Sequence, residues 1–448
     1  MKKNILYSVL IILFISLVGF VLLKFKKEDS IKANTQYVLL ERNGAMAQMP
    51  EWPDTKLNAS KILKAINANP GDLKSHISMA NLFIMEARAT GNYAYYDKAA
   101  MKYINNVLKI NPQNFEALTL KSLLFLSQHH FADGLAMAEI AKNINPYNAF
   151  VYGILVDGNV EMGNYDSAVA NAEKMMSIRP DLRSYARASY LREIYGDYPG
   201  AIEAMKLAVD AGAPGDEGTE WCRVQLGHLY ENSGDFKSAE MHYSIVLDNR
   251  KNYAYALAGM ARIALSKKEY AKAIDYFQQA DTLVNDFSFK EELVDVYQLT
   301  GQKEKAATTA KIVIDEMNKN ATTAASDENI GHYADRELAY AYLKINDYSK
   351  ALEHALAEYN RRPNNIDANE TLAWVYYQKG DFAKALPYIQ VALKTNSKNP
   401  VLLCRAGLIY EKTGDKVKAK DYLEQAFKSN AFIPESLKLN SEQALKGI

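Results

Sequence analysis

Residues 380–386 read GDFAKAL, and the same shape returns as GDFKSAE at 234–240, NDYSKAL at 346–352, GNYDSAV at 163–169 and KEYAKAI at 268–274. Gly380 has no Cβ, so it takes the left-handed conformation that closes a helix without a steric penalty. Asp381 is suited to accept a hydrogen bond from the free amides that open a following helix. Phe382 supplies apolar cover for the reversal. Ala385 is small enough to let two helix backbones approach, and a larger side chain there would overpack the contact by about 1–3 kcal/mol. The stretch therefore reads as helix, tight reversal, helix.

Working outward, the motif keeps a fixed step. Ala351, Ala385 and Ala419 are each 34 residues apart, as are Ala239 and Ala273, Gly134 and Ala168, and the prolines Pro112, Pro146 and Pro180. Tyr342, Tyr376 and Tyr410 keep the same step one helix earlier, and so do Ala339, Ala373 and Gly407. Several independent columns sharing one period identify a repeat array. Each unit exposes an apolar face that only its neighbours can cover, so stability comes from stacking.

The unit NETLAWVYYQKGDFAKALPYIQVAL, 369–393, resembles the tetratricopeptide repeat. Leu372, Ala373 and Tyr376 sit on its first helix, Gly380 and Asp381 form the turn, and Ala385, Ile389 and Ala392 sit on its second. The resemblance covers about 57–432 and implies an all-α, right-handed superhelical solenoid of helical hairpins. By this register ten full repeats run at approximately 72–112, 113–146, 147–180, 181–218, 219–252, 253–286, 287–319, 330–363, 366–399 and 400–432. The run from Ser184 to Tyr230 is also similar to an uncharacterised bacterial membrane-anchored family of such proteins, which implies no activity. ASKILKAINANP, 59–70, reads as a lone capping helix, and 433–448 as a solvating C-terminal tail.

Three departures from the period stand out. The first repeat is longer by about eight residues, with MEARATGNYAYYDKAA, 85–100, expected to stretch its turn. Ala201 and Ala239 are 38 apart, and Ala306 and Ala351 are 45 apart, with NKNATTAASDEN at 318–329 reading as an exposed loop. Pro387 lies early in a second helix and is expected to bend it slightly.

Ahead of the array the composition changes. Residues 1–4 are a short polar tail, and 5–23, ILYSVLIILFISLVGFVLL, form an unbroken apolar run. Nineteen helical residues span roughly 28 Å, close to the ~30 Å of a hydrocarbon core. A cleaved signal peptide would need a small-x-small site just after the run, but the nearest good one, Ala45-Met46-Ala47, lies too far away, and no lipoprotein cysteine ends the run, so it reads as an uncleaved signal anchor. Residues 24–56 read as a linker. Lys2 and Lys3 nearly balance Lys24, Lys26 and Lys27 under the positive-inside rule. A short tail before a large domain resembles bacterial anchors that place the bulk outside the cytoplasm. The expected location is thus the cell membrane, single-pass, with a periplasmic solenoid.

The chain has 448 residues, with 53 Lys and Arg against 53 Asp and Glu, which argues against a globally basic nucleic-acid binder. Cys222 and Cys404 are the only cysteines, too few for a thiol cluster or a disulfide framework. HExxH, GxSxG, GxxxxGK and CxxC are absent, so no catalytic residue, metal site or cofactor is expected. His129-His130 occupies turn positions and reads as solvated.

The informative positions lie on the first helices, which line the concave face in the family this chain resembles. The ninth-position row reads Asp157, Tyr190, His228, Arg262, Asp295, Tyr340 and Trp374. Arg183, Arg187, Glu193, Trp221, Glu231, Tyr255, Glu291, Arg336, Glu370 and Tyr377 lie nearby. Arg and aromatic side chains suit an extended peptide, giving planar contact area and pairing with carboxylates. The competing reading of this row is a set of inter-repeat salt bridges. The Lys and Asn pattern that grips C-terminal carboxylates is not present. The expectation is a membrane-tethered scaffold for a protein or peptide partner. The alternative is an enzyme or small-molecule receptor in which Asp157, Tyr190, Glu193 and His228 converge on one pocket.

Overall fold

A computed structural model of the chain describes residues 13, 14, 16–20, 24, 36–321 and 331–448, without side chains at 320 and 321. Among them are no strands. Twenty-two α-helices follow one another from Trp52. α1 is Trp52–Ala68. The ten hairpins are α2 Leu73–Thr90 with α3 Tyr93–Ile110, α4 Phe115–Ser127 with α5 Phe131–Ile144, α6 Ala149–Glu161 with α7 Tyr165–Ile178, α8 Leu182–Ile194 with α9 Tyr198–Asp210, α10 Glu217–Asn232 with α11 Phe236–Asn249, α12 Ala254–Ser266 with α13 Tyr270–Leu283, α14 Phe287–Leu299 with α15 Lys303–Ala321, α16 Asp335–Lys344 with α17 Tyr348–Arg361, α18 Ile366–Lys379 with α19 Phe382–Ala392, and α20 Pro400–Lys412 with α21 Lys416–Lys428. α22, Glu435–Gly447, closes the array. The ten repeats fall where the 34-residue register puts them.

The recurring alanines carry the packing. Ala168, Ala201, Ala239, Ala273, Ala351, Ala385 and Ala419 are each 0% exposed. Several of the motif acids also cap as expected: Asp197, Asp235, Asp347 and Asp415 each accept from the amide three residues on. Asp381, the motif's own example, makes no such cap bond and instead accepts from the Lys384 ammonium. Many first helices are capped too, by Asn114, Asn148, Asp181, Asn365 and Asn399.

The departure in the first repeat resolves differently from expectation. The extra residues of the first repeat lengthen both of its helices to 18 residues, and only Gly91 and Asn92 lie between them. Part of NKNATTAASDEN continues α15 to Ala321, and the rest lies outside the described residues. α19 runs through Pro387. The expected linker ends earlier than residue 56. Arg42 is 7% exposed and its guanidinium grips Glu86 at 2.6 and 3.0 Å, while Met49 and Trp52 are buried.

The apolar run at 5–23 lies mostly outside the described residues. Its described part, 13–14 and 16–20, is helical. No helix of the described residues is long and apolar enough to cross a membrane.

Along most of the stack, first helices of adjacent repeats touch one another directly. They form the inner side of the curve. The curve is tight enough to bring the coil back onto itself. The Tyr165 hydroxyl accepts from the Ile366 amide at 2.9 Å, and Asn365 donates to the Val160 carbonyl at 3.2 Å. Arg362 pairs with Glu161, and Arg250 with Glu51. These partners stand 199 to 205 residues apart.

The contact is regular. The turn of the first repeat, at Gly91, abuts Asn285 ahead of the seventh. The turn of the second, at His129, meets Tyr333 ahead of the eighth. Gly163, Gly196 and Gly234 likewise meet Asn364, Asn396 and Ser429. One superhelical turn therefore takes about six repeats, and successive turns rest on each other. His129-His130 is not a solvated turn. The His129 ring bonds the Tyr333 carbonyl at 2.8 Å, and His130 stacks on the Tyr333 ring at 4.0 Å.

Candidate functional site

The inner wall is chiefly a ladder of ion pairs between neighbouring first helices. Arg187 on α8 donates to both Asp157 oxygens on α6, at 2.9 and 2.6 Å. Arg262 on α12 reaches Glu231 on α10 at 3.1 Å, and Glu231 also accepts from the Tyr243 hydroxyl at 2.6 Å. Lys344 on α16 pairs with Asp295 on α14 at 3.0 Å and donates to the Glu291 carbonyl. Arg405 on α20 pairs with Glu370 on α18 at 2.8 Å. Its guanidinium also lies over the rings of Tyr340 and Trp374 at 5.1 and 5.0 Å.

Burial alone would raise the Glu231 carboxyl. Arg262, His228 and Tyr243 prevail and hold it below the usual carboxylate range. Burial opposes the charge on Arg262 as well, yet Glu231 and Tyr243 keep its guanidinium more firmly protonated than usual. The ladder is thus a partly buried structural network. It accounts for Asp157, Arg187, Glu231, Arg262 and Asp295 without a ligand. Trp374 is 9% exposed and stacks on Tyr377 at 4.9 Å, so it is part of the packing. Tyr255 is half-buried and its hydroxyl lies 3.3 Å from Asp286.

Other wall residues are open. Tyr190 is 41% exposed, and the His228 side chain is 44% exposed. Arg183 is exposed and lies over Phe150, and Trp221 is half-buried. Arg336 makes no ion pair among the described residues; its guanidinium lies 5.8 Å from the Tyr340 ring centroid.

Tyr190, Glu193 and His228 line one cavity of about 310 Å³. Its opposite wall is the next superhelical turn, with Asn365, Ile366, Asp367, Glu370, Ser397, Asn399 and Leu402. Asp157 is not among its lining residues, being held by Arg187. Glu193 accepts from Asn232 at 3.2 Å, and burial raises its carboxyl against the pull of His228 and Asn232. His228 itself faces Glu231 at 3.3 Å. Although the Tyr190 ring is partly open, desolvation of its hydroxyl between the two turns, with Glu161, Asp367 and Glu193 nearby, pushes the phenol above its ordinary value.

Sequence reading missed Asp367, Asn365 and Arg405. Arg405 follows the first-helix columns and was legible there. Asp367 and Asn365 reach this cavity only because the coil returns after six repeats. Cys222 and Cys404 are both 0% exposed, and burial pushes the Cys222 thiol up to about 12. They are core residues.

Tetratricopeptide-repeat family models match residues 224–286, 336–400 and 401–432. The chain is 32% identical over 85 residues to tetratricopeptide repeat protein 21B of Xenopus laevis, a match spanning 19% of this chain and 6% of that protein. Among solved structures, the human IFIT1 dimer with PPP-AAAA aligns over 78% of this chain and 81% of its own, at 14% identity and TM-score 0.48. The anaphase-promoting-complex hetero-tetramer Cut9–Hcn1 aligns over 86% of this chain and 61% of its own, at 14% identity and TM-score 0.44. With ten stacked hairpins among the described residues and the family-model matches, the chain is a helical solenoid that carries tetratricopeptide repeats.

Proposed function

We propose that the protein is an interaction scaffold, held at a membrane by residues 5–23, whose concave wall binds a protein or peptide in a bacterial envelope complex. The observation that carries this reading is the split character of the wall. A ladder of internal ion pairs fixes its shape, and the open Arg183 and Tyr190, with the half-buried Trp221, remain between the rungs. Such groups give contact area at low entropic cost. The alternative of an enzyme loses one of its four residues, because Asp157 is engaged by Arg187.

The test is site-specific photocrosslinking in cells, with a photoreactive residue at Arg183, at Trp221, and at the exposed Met241 of a second helix. The two wall positions are expected to capture the same partner, and Met241 none. Equal capture at Met241, or no capture at the wall, would refute the groove reading. Alkaline extraction of membranes tests the anchor: the full chain is expected to stay in the pellet, and a chain lacking 5–23 to be released.

A further inference from the structure

The cavity between superhelical turns has an unusual balance of partners. Three carboxylates, Glu193, Asp367 and Glu370, line it, and the cations nearby are largely taken. Arg405 holds Glu370, and Arg362 holds Glu161 and Glu358. Glu231 is held by Arg262. Glu193 and Asp367 line the cavity and make no Arg or Lys ion pair among the described residues. Asp367 helps keep the Arg336 guanidinium protonated but stands outside ion-pairing distance of it, and the nearby Lys394 ammonium donates to the Asn364 carbonyl.

A second observation is independent of these acids. Tyr198, also a lining residue, is only 9% exposed, and its buried hydroxyl has no hydrogen-bond partner among the described residues. An orphaned buried hydroxyl costs about 1–3 kcal/mol unless something occupies the site. Tyr190 adds a phenol ring open to the cavity, whereas the Tyr165 ring beside it is buried under the Lys394 ammonium at 4.8 Å. Two carboxylates outside any Arg or Lys ion pair, the open Tyr190 face and an unpartnered phenol oxygen together form the complement of a positively charged head group.

We propose that this cavity binds an alkylammonium or guanidinium head, with Glu193 and Asp367 as its counter-charges and Tyr190 and Tyr198 as its aromatic walls. The two carboxylates come from opposite turns of the coil. Glu193 sits at the end of α8 and Asp367 at the start of α18. A bound cation therefore ties the two turns together. The cavity would hold its cation whether or not the concave wall has a protein partner, so the inference goes beyond the scaffold reading.

The test uses the full chain labelled with 3-fluorotyrosine. The Tyr190 and Tyr198 resonances are assigned from the Tyr190→Phe and Tyr198→Phe variants. Probes are the blocked pentapeptide Gly-Gly-Lys-Gly-Gly, its Arg, norleucine and Glu counterparts, and spermidine. The Lys or Arg peptide or spermidine is expected to shift both resonances saturably, at least tenfold more tightly than norleucine or Glu. The ranking of peptide against spermidine identifies the source of the cation. Glu193→Gln and Asp367→Asn are each expected to weaken binding about tenfold, while the exposed control Glu424→Gln leaves it unchanged. Tyr198→Phe keeps the ring and removes the hydroxyl, and a severalfold loss is expected. Shifts by norleucine equal to those by Lys, or unchanged binding in both carboxamide variants that remain folded by circular dichroism, would overturn the assignment.

Discussion

Arg262 shows how a residue can look like a ligand-binding group and be structural. Its column position and its charge suggested the groove, and it does lie on the inner wall. What the column could not give is that Glu231, one repeat earlier, is 3% exposed at its side chain and takes Arg262 as its partner. Arg262→Ala should therefore cost about 3–5 kcal/mol in urea unfolding, because it leaves a buried carboxylate unpaired. The double change Arg262→Met with Glu231→Gln should recover most of it. His242 makes a second residue-level case. Burial, with Arg223 and Lys206 nearby, pushes its ring down to about 4 from 6.5. Between those values the unfolded chain takes a proton that the fold refuses, so stability falls as pH drops from 6.5 to 4. The full loss is at most about 3 kcal/mol, less whatever solvent still screens the ring, and nearly all of it falls below pH 6.5. His242→Phe should flatten that slope, measured as urea midpoints at pH 7.5 and 5.

At the level of elements, the sequence was nearly sufficient. Helix starts, turns and the ten hairpins follow from local chemistry: a capping acid, a turn glycine, an aromatic cover and a small contact residue. Local chemistry did not say which acid actually caps. Asp235 accepts from the Ser238 amide at 3.0 Å, whereas Asp381 in the same motif position accepts no amide. Asp235→Ala should lower stability by about 1 kcal/mol, and Asp381→Ala by clearly less, in paired denaturation curves. The first repeat departs from the sequence expectation for a related reason. Its extra residues are good helix formers, and they extend α2 and α3 rather than the turn between them.

For the whole molecule, the same motif glycine does two jobs that sequence cannot separate. Gly380 has φ +85° and open space where a Cβ would stand. Gly163 has φ +77°, but a Cβ there would lie 2.2 Å from the Asn364 carbonyl oxygen of the next superhelical turn. Gly380→Ala should cost only the left-handed penalty of about 1–2 kcal/mol and leave the solution radius unchanged. Gly163→Ala should also push the turns apart, seen as a larger radius of gyration by X-ray scattering and faster amide exchange at Ile366. Equal radii for the two variants would mean that the turns do not rest on each other in solution. By itself, the sequence determined the hairpin, its period and its count, because these depend on contacts within about 34 residues. It also determined that the inner row would be ionic and aromatic. Only the tertiary structure decided which of those side chains are spent on one another and which stay open. It alone placed Asp367 opposite Glu193. That choice depends on the rotation accumulated over six repeats, a sum of small packing angles that no single repeat records.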